Sequence, residues 1–396
     1  MVYTEAPVRV LKITGTARSG STILDIVLGN HPDIESVGEV GNLALNGWIS
    51  RESLGGIDPK KLRVPICTCG KRLDVGYVHT PDEACPFWSS VRREWVERAA
   101  PQSIEGYPKL RGNFERKRPA LLVQQYLRLL YEGRRRSASF RSYATLTRAF
   151  FESIRAVSGK PVIVDSSKSP ARAFAFAMVP GIDLYVVHLV RDGRGVIASL
   201  RKTFKKDIQA GIMWDHEGRP MWKSVAHWIV RNLATQWVCA RLGPNKTMRL
   251  RYEDFVADPK GALERIGTLL DLDLTELADA ASSGKPMQAG HKPTALPGFG
   301  LSNARPIPEI EPSGVRPSST SGDLCGSIWH RLGGHLGWTL YEKLLLLFRR
   351  VPGGLRTGLS PVPSRERTLA PGPWRSPRRR VCRSRRVWTR RTRASK

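Results

Sequence analysis

Thr14-Gly15-Thr16-Ala17-Arg18-Ser19-Gly20-Ser21-Thr22 has the residue types of an anion cradle. Gly15 and Gly20 stand at the spacing of a Walker A loop, with Ser21 where that motif carries Lys. Small residues let backbone N–H groups converge on a phosphate or sulfate, and a helix that follows presents its positive end to it. Without the Lys, the loop lacks the cation that reaches the β- and γ-phosphates of a nucleoside triphosphate. Arg18 restores one positive charge inside the loop. This suits a nucleotide-linked anion with fewer charges than ATP, handled without Mg²⁺. A Gly/Ser turn that merely joins a strand to a helix is the bland alternative.

Further along, Glu39 follows Gly38 soon after the loop, in the place of a general base for an attacking hydroxyl. An ordinary surface Glu is the competing reading. Lys168, in Asp165-Ser166-Ser167-Lys168-Ser169-Pro170, stands at a strand end where open α/β sheets bind ligands. There it holds an anion, or else the segment only caps the helix that starts near Pro170. Arg191 ends an apolar run and Ser199 comes eight residues later. A forked guanidinium and a hydroxyl at that separation can meet on one phosphate, while Asp192 caps the helix between them. Cys67, Cys69 and Cys85 fall within about twenty residues, with His79 between them as a fourth zinc ligand. A disulfide, or plain packing of small side chains, is the preferred reading, and no residue is assigned to a metal.

The elements that must position these groups follow from apolar periodicity. Residues 8–13, 161–164, 183–190 and 247–251 are β-rich runs, the third nearly continuous as in a buried parallel strand. Helical spacing covers residues 23–28, 89–100, 121–131, 142–157, 196–202, 221–241 and 259–270. Pro32 ends the first of these and leads to an irregular connection or short strand. Arg134-Arg135-Arg136 is a solvated turn, and Trp222, Trp228 and Trp237 are core residues of the 221–241 helix. The alternation predicts a P-loop-containing α/β fold: a mainly parallel central sheet with helices on both faces.

The chain has 396 residues, enough for one large α/β domain with insertions at about 40–160 and 204–220. Its formal charge is +29, but residues 361–396 alone hold 13 Lys/Arg against one Glu. The rest is moderately basic, which fits a binder of polyanionic nucleotides better than a nucleic-acid protein. Six cysteines in this length make no disulfide framework. The first strand begins within about ten residues, leaving no room for a leader, and Leu344 to Phe348 is too short to span a bilayer. A soluble, cytoplasmic chain is expected.

With these stretches in view, residues 8–290 resemble the sulfotransferases that use 3′-phosphoadenosine-5′-phosphosulfate (PAPS). Arg18-Ser19-Gly20-Ser21-Thr22, with Thr16 just before it, is similar to the family loop that holds the 5′-phosphosulfate. Arg191 and Ser199 resemble its 3′-phosphate pair, and Arg191-Asp192-Gly193-Arg194 is close to the tyrosylprotein and bacterial branches. Tyr252, in Arg251-Tyr252-Glu253-Asp254, matches a nucleotide contact of the tyrosylprotein branch. His31-Pro32-Asp33 with Gly38-Glu39 resembles that branch's segment bearing the proposed base. Cys67-Thr68-Cys69-Gly70 and Cys85-Pro86-Phe87-Trp88 are also similar to bacterial members. The resemblance implies in-line sulfuryl transfer from PAPS to a hydroxyl or amine, with Glu39 as base. Arg18 stabilises the transferring charge, Lys168 is a second cation near the leaving group, and no divalent metal is needed.

Residues 1–290 therefore form the expected sulfotransferase domain, and 291–396 an atypical Pro/Arg-rich region. Family members place a basic, Gly-containing lid after the last core helix, whereas residues 293–325 here are Pro-, Ser- and Gly-rich and lack periodicity. Residues 338–350 are the one helix-like piece beyond. Two origins fit: a natural basic tail that touches anionic surfaces, or text read in a shifted frame from about residue 290. The acceptor is a small molecule, glycan or lipid; nucleic acid is disfavoured as a partner. The rival activities are a kinase-like phosphotransferase, which would want a Lys after Gly20, and a nucleic-acid binder acting through the tail.

Overall fold

The computed structural model describes residues 6–45, 48–49, 66–73, 84–115, 137–203 and 218–294. The predicted 121–131 helix, the Arg134–Arg136 turn, His79, most of the 204–220 insertion and everything past Thr294 lie outside those residues. In chain order the elements are β1 (Val8–Gly15), α1 (Ser21–Leu28), β2 (Ile34–Ser36), β3 (Ile66–Cys67), α2 (Pro86–Ala99), α3 (Tyr107–Phe114) and α4 (Ala138–Ser158). Then come β4 (Val162–Lys168), α5 (Pro170–Phe176), β5 (Ile182–Val190), α6 (Gly193–Arg201) and α7 (Met221–Leu242). β6 (Thr247–Arg251), α8 (Tyr252–Ala257), α9 (Pro259–Leu270), α10 (Thr275–Ser282) and β7 (Pro293–Thr294) complete the described chain.

Five strands form one parallel sheet in the order β2-β4-β1-β5-β6, with β1 in the middle. Its neighbours β4 and β5 come later in sequence and lie on opposite sides, so the order reverses about β1. Open α/β sheets bind ligands at the carboxyl ends of the strands beside such a switch point. Two apolar clusters cover the sheet. One joins Val10, Ile163 and Val186 to the aromatics of α2 and α4; the other joins Leu11, Ile13, Val164 and Val187 to α1, α9 and α10. Helices therefore lie on both faces, as the alternating pattern requires.

β4 runs four residues beyond its predicted end. Asp165 to Lys168 reads as a turn by composition, yet Lys12 pairs with Asp165 across the sheet at 3.0 Å, and both are fully buried. A buried partner lets a charge occupy a core strand position. α7 also departs from expectation. Its buried face is Ser224, Trp228, Asn232, Thr235, Val238 and Cys239, whereas Trp222 is 69% exposed and so is not core.

Asn232 meets buried His188 of β5, whose Nε2 lies 3.1 Å from its Oδ1, while its own Nδ2 donates to Trp228 O at 3.0 Å. Burial pushes the imidazole down to about 4. The unfolded chain takes up this proton near pH 6.5 and the native chain does not, so stability falls as pH drops from about 6.5 to 4. Urea melts across that window should lose up to about 3 kcal/mol through His188. His227, lowered to about 4 by burial and by Arg231, adds a slope of the same sign. The difference between wild type and His188→Gln isolates the buried group; equal slopes in the two proteins would contradict the assignment.

Candidate active site

Register alone brings the candidate residues to one edge. Lys168 pairs with Thr14, Leu189 with Gly15 and Arg251 with Val190, so the loop, Lys168, Arg191 and Tyr252 all lie at carboxyl ends of adjacent strands. The loop is tightly folded. Gly15 (φ +143°), Arg18 (φ +68°) and Gly20 (φ +87°) have positive φ, and Thr16 Oγ1 and Ser19 Oγ, both buried, lie 2.7 Å apart. Gly20 is required twice over, because a Cβ there would come within 2.3 Å of the Tyr252 ring. α1 starts at once, with Ile23 and Leu24 N donating to Gly20 O. Ser21 is buried, and Arg18 and Thr22 face outward.

Arg191 closes this edge from β5. Its Nη1 donates to the backbone O of Arg18 at 3.1 Å, and its guanidinium stacks 4.5 Å from the Tyr252 ring centre. Its Nε also lies 3.2 Å from where a Gly195 Cβ would be. Ser199, half-buried, is one turn further along that face of α6. Asp192 caps α6 by accepting from Arg194 N at 2.8 Å; burial raises its carboxyl, but the bonds to Arg194 outweigh this and leave it lowered. Arg194 is thereby held by Asp192, its Nη2 2.6 Å from Asp192 Oδ2.

Glu39 meets Lys168 in a direct ion pair. The backbone around it is pinned on both sides. Ser166 N donates to Gly38 O at 2.9 Å, and Gly41 N donates to Ser167 Oγ at 2.8 Å. Ser167 in turn donates from N to Asp165 Oδ1 at 2.8 Å. Of the two readings for residues 165–169, each describes part: Ser169 caps α5 through Arg172 N, and Lys168 reaches Glu39.

Behind this lies a buried charge chain that residue spacing did not reveal. Arg172 Nε donates to Asp165 Oδ2 at 2.9 Å and its Nη1 to Glu115 Oε2 at 2.5 Å. Arg111 and Tyr143 also donate to Glu115, at 3.0 and 2.9 Å. Burial raises the carboxyl of Asp165, but Lys12 and Arg172 outweigh it, so its pKa lies below the usual range. Burial lowers Lys12 to about 8 against the pull of Asp165. Lys292 was missed as well: buried, its Nζ donates to Ser36 Oγ at 2.7 Å and lies 3.4 Å from Asp25 on α1.

Residues 92–276 match the model of a family described as the sulfotransferase family. That span holds Lys168, Arg191, Ser199 and Tyr252 and starts after the loop and Glu39. No curated protein matches. Similar solved structures include the sulfotransferase domain of the Synechococcus PCC 7002 olefin synthase, 17% identical, covering 69% of this chain and 77% of that one at a TM-score of 0.37. Sulfotransferase STF1 of Mycobacterium tuberculosis H37Rv is 17% identical over 71% and 72% at 0.38. No helix among the described residues is long and apolar enough to cross a membrane.

Proposed function

We propose that the chain moves a sulfuryl group from PAPS to a hydroxyl or amine of an acceptor, a reading supported by the match of residues 92–276 to a sulfotransferase family model. The observation that carries this reading is the contact of Arg191 with the Arg18 backbone, beside Gly20 packed on Tyr252. Two anion-binding stretches, 173 residues apart, thereby share one edge. Both anions of a bisphosphorylated nucleotide fit such an edge: a positive-φ glycine loop for one, a stacked arginine for the other. PAPS supplies a sulfuryl group carried on a phosphate leaving group.

Backbone N–H groups of the loop, with Arg18, Ser19, Ser21 and Thr22, orient the 5′ end and stabilise charge that builds there. Thr16 fixes Ser19. Arg191, Ser199 and Tyr252 hold the 3′-phosphate end and supply orientation. Glu39 takes the acceptor's proton, and Lys168 positions its carboxylate and adds positive charge beside the loop. The acceptor is a small molecule, glycan or lipid.

The product nucleotide PAP should raise the melting temperature without magnesium. Arg191→Ala should weaken PAP by about 10–100-fold, the cost of a lost charge-assisted hydrogen bond. Protection by ATP that depends on magnesium would favour a phosphotransferase instead. Salt-sensitive nucleic-acid binding that vanishes on deleting residues 361–396 would favour the other rival.

A further inference from the structure

Three cysteines and a histidine that take no part in the proposed transfer converge next to Lys292. β3 delivers Cys67, and a tight turn follows in which Gly70 (φ +84°) donates from N to Cys67 O at 2.8 Å. Cys67 N then donates to Lys71 O at 2.8 Å, which folds the strand back and leaves Cys69 at the tip. Cys85 stands just before Pro86 at the start of α2, its N bonded to Arg72 O at 3.0 Å. His291 arrives from the other end of the described chain. β7 pairs antiparallel with β3, and Thr68 N donates to Lys292 O while Lys292 N donates to Thr68 Oγ1, both at 2.9 Å.

One ligand atom from each of Cys67, Cys69, Cys85 and His291 lies within 4.8 Å of all the others. His291 Nδ1 is 3.4 Å from Cys85 Sγ and 3.7 Å from Cys67 Sγ. A tetrahedral zinc ion with bonds of about 2.0–2.3 Å holds its ligand atoms about 3.6–3.8 Å from one another. The imidazole is oriented from outside: Phe87 stacks on it at 5.3 Å and 13°, and Trp88 Nε1 donates to His291 O at 3.0 Å. All three thiols are free, so of the two sequence readings, a disulfide or plain packing, the disulfide is not formed among the described residues. A donor set of three thiols and one imidazole suits Zn²⁺ and leaves no position open for substrate.

The geometry points to a structural zinc site with Cys67, Cys69, Cys85 and His291 as its four ligands. The cysteines bind as thiolates, each releasing its proton to solvent, and His291 binds through Nδ1 as a neutral ring. This replaces the sequence expectation of no metal, and His291 takes the place considered for His79. The ion ties the 67–72 turn and the start of α2 to residues 291–294. Lys292, next to His291, is thereby set against Ser36, Asp25 and Gly38, immediately before Glu39.

The test uses the full chain, purified without chelator and analysed for bound metal. One zinc per chain is expected. Cobalt exchange should give an intense sulfur-to-cobalt charge-transfer band with the d–d bands of a tetrahedral ion. Cys85→Ser and His291→Ala should lower zinc content well below one, whereas His79→Ala should keep it. If either variant fails to fold, the wild-type cobalt spectrum still reports the ligand set. Reduced wild type that fails to take up added zinc in competition with a chelating dye would overturn the site. So would zinc retained at one per chain in both ligand variants. The proposal does not depend on sulfuryl transfer, and its outcome is independent of the PAP test.

Discussion

Glu39→Gln is expected to lower kcat by about 10²–10⁴-fold, the usual worth of a positioned general base, while PAP protection stays as in wild type. The substitution keeps the shape of the side chain and an oxygen to accept from Lys168. It removes only the ability to take a proton. Placement makes the test sharp. Glu39 is gripped through Gly38 O by Ser166 N and through Gly41 N by Ser167 Oγ, so its backbone is held whatever the head group. Lys168→Met is the companion: it leaves the carboxylate but removes the cation that orients it, and should cost less than Glu39→Gln. The assay is single-turnover transfer from labelled PAPS to whichever acceptor a screen returns. A Glu39→Gln enzyme within threefold of wild type would remove Glu39 from the chemistry; equal loss of PAP protection would make it a binding residue.

Much of this site could be read from sequence because its parts are local. A Cβ at Gly15 or Gly20 would come within 2.3 Å of Leu189 O or of the Tyr252 ring, so both must be glycine, and a glycine pair between a strand and a helix announces itself. Arg191 stands at the end of an apolar run whose burial fixes where β5 stops. What stayed hidden depends on contacts distant in the chain. His291 lies 206 residues from Cys85, so sequence proximity pointed to His79. Polar residues misled in the same way. Asp165 and Ser167 suggest a turn until Lys12, Arg172 and Gly41 supply partners, and Asn232 faces the core because His188 awaits it. Trp222 shows the converse: it stands two residues before buried Ser224, so the helix turns it to the opposite side despite its apolar surface. The resemblance assigned the two anion contacts their ends of one nucleotide; their shared edge came from parallel register.

Arg172→Met is expected to destabilise the fold by about 3–5 kcal/mol, the cost of leaving a buried ion without its partner. Arg172 is 3% exposed and bridges two carboxylates, Asp165 and Glu115, with its guanidinium stacked 4.5 Å from Phe176. Removing it leaves Asp165 with Lys12 and Glu115 with Arg111 as the cations that face them among the described residues. The effect has a pH signature. Both carboxyls lie below their ordinary values in the native chain, Asp165 held by Lys12 and Arg172, Glu115 by Arg111 and Arg172, against the opposing effect of burial. Their contribution is therefore complete above the unfolded carboxylate range and is lost as pH falls through the native values. Without Arg172 the native values rise, so the acid unfolding midpoint should move to higher pH. Urea melts at pH 7 and an acid titration followed by circular dichroism check both. A change below about 0.5 kcal/mol, within the range of ordinary surface substitutions, would show that the chain of charges is not what holds Asp165. If the cost is as expected, the same variant should also slow transfer, because Asp165 anchors Ser167, and Ser167 anchors the backbone two residues beyond Glu39.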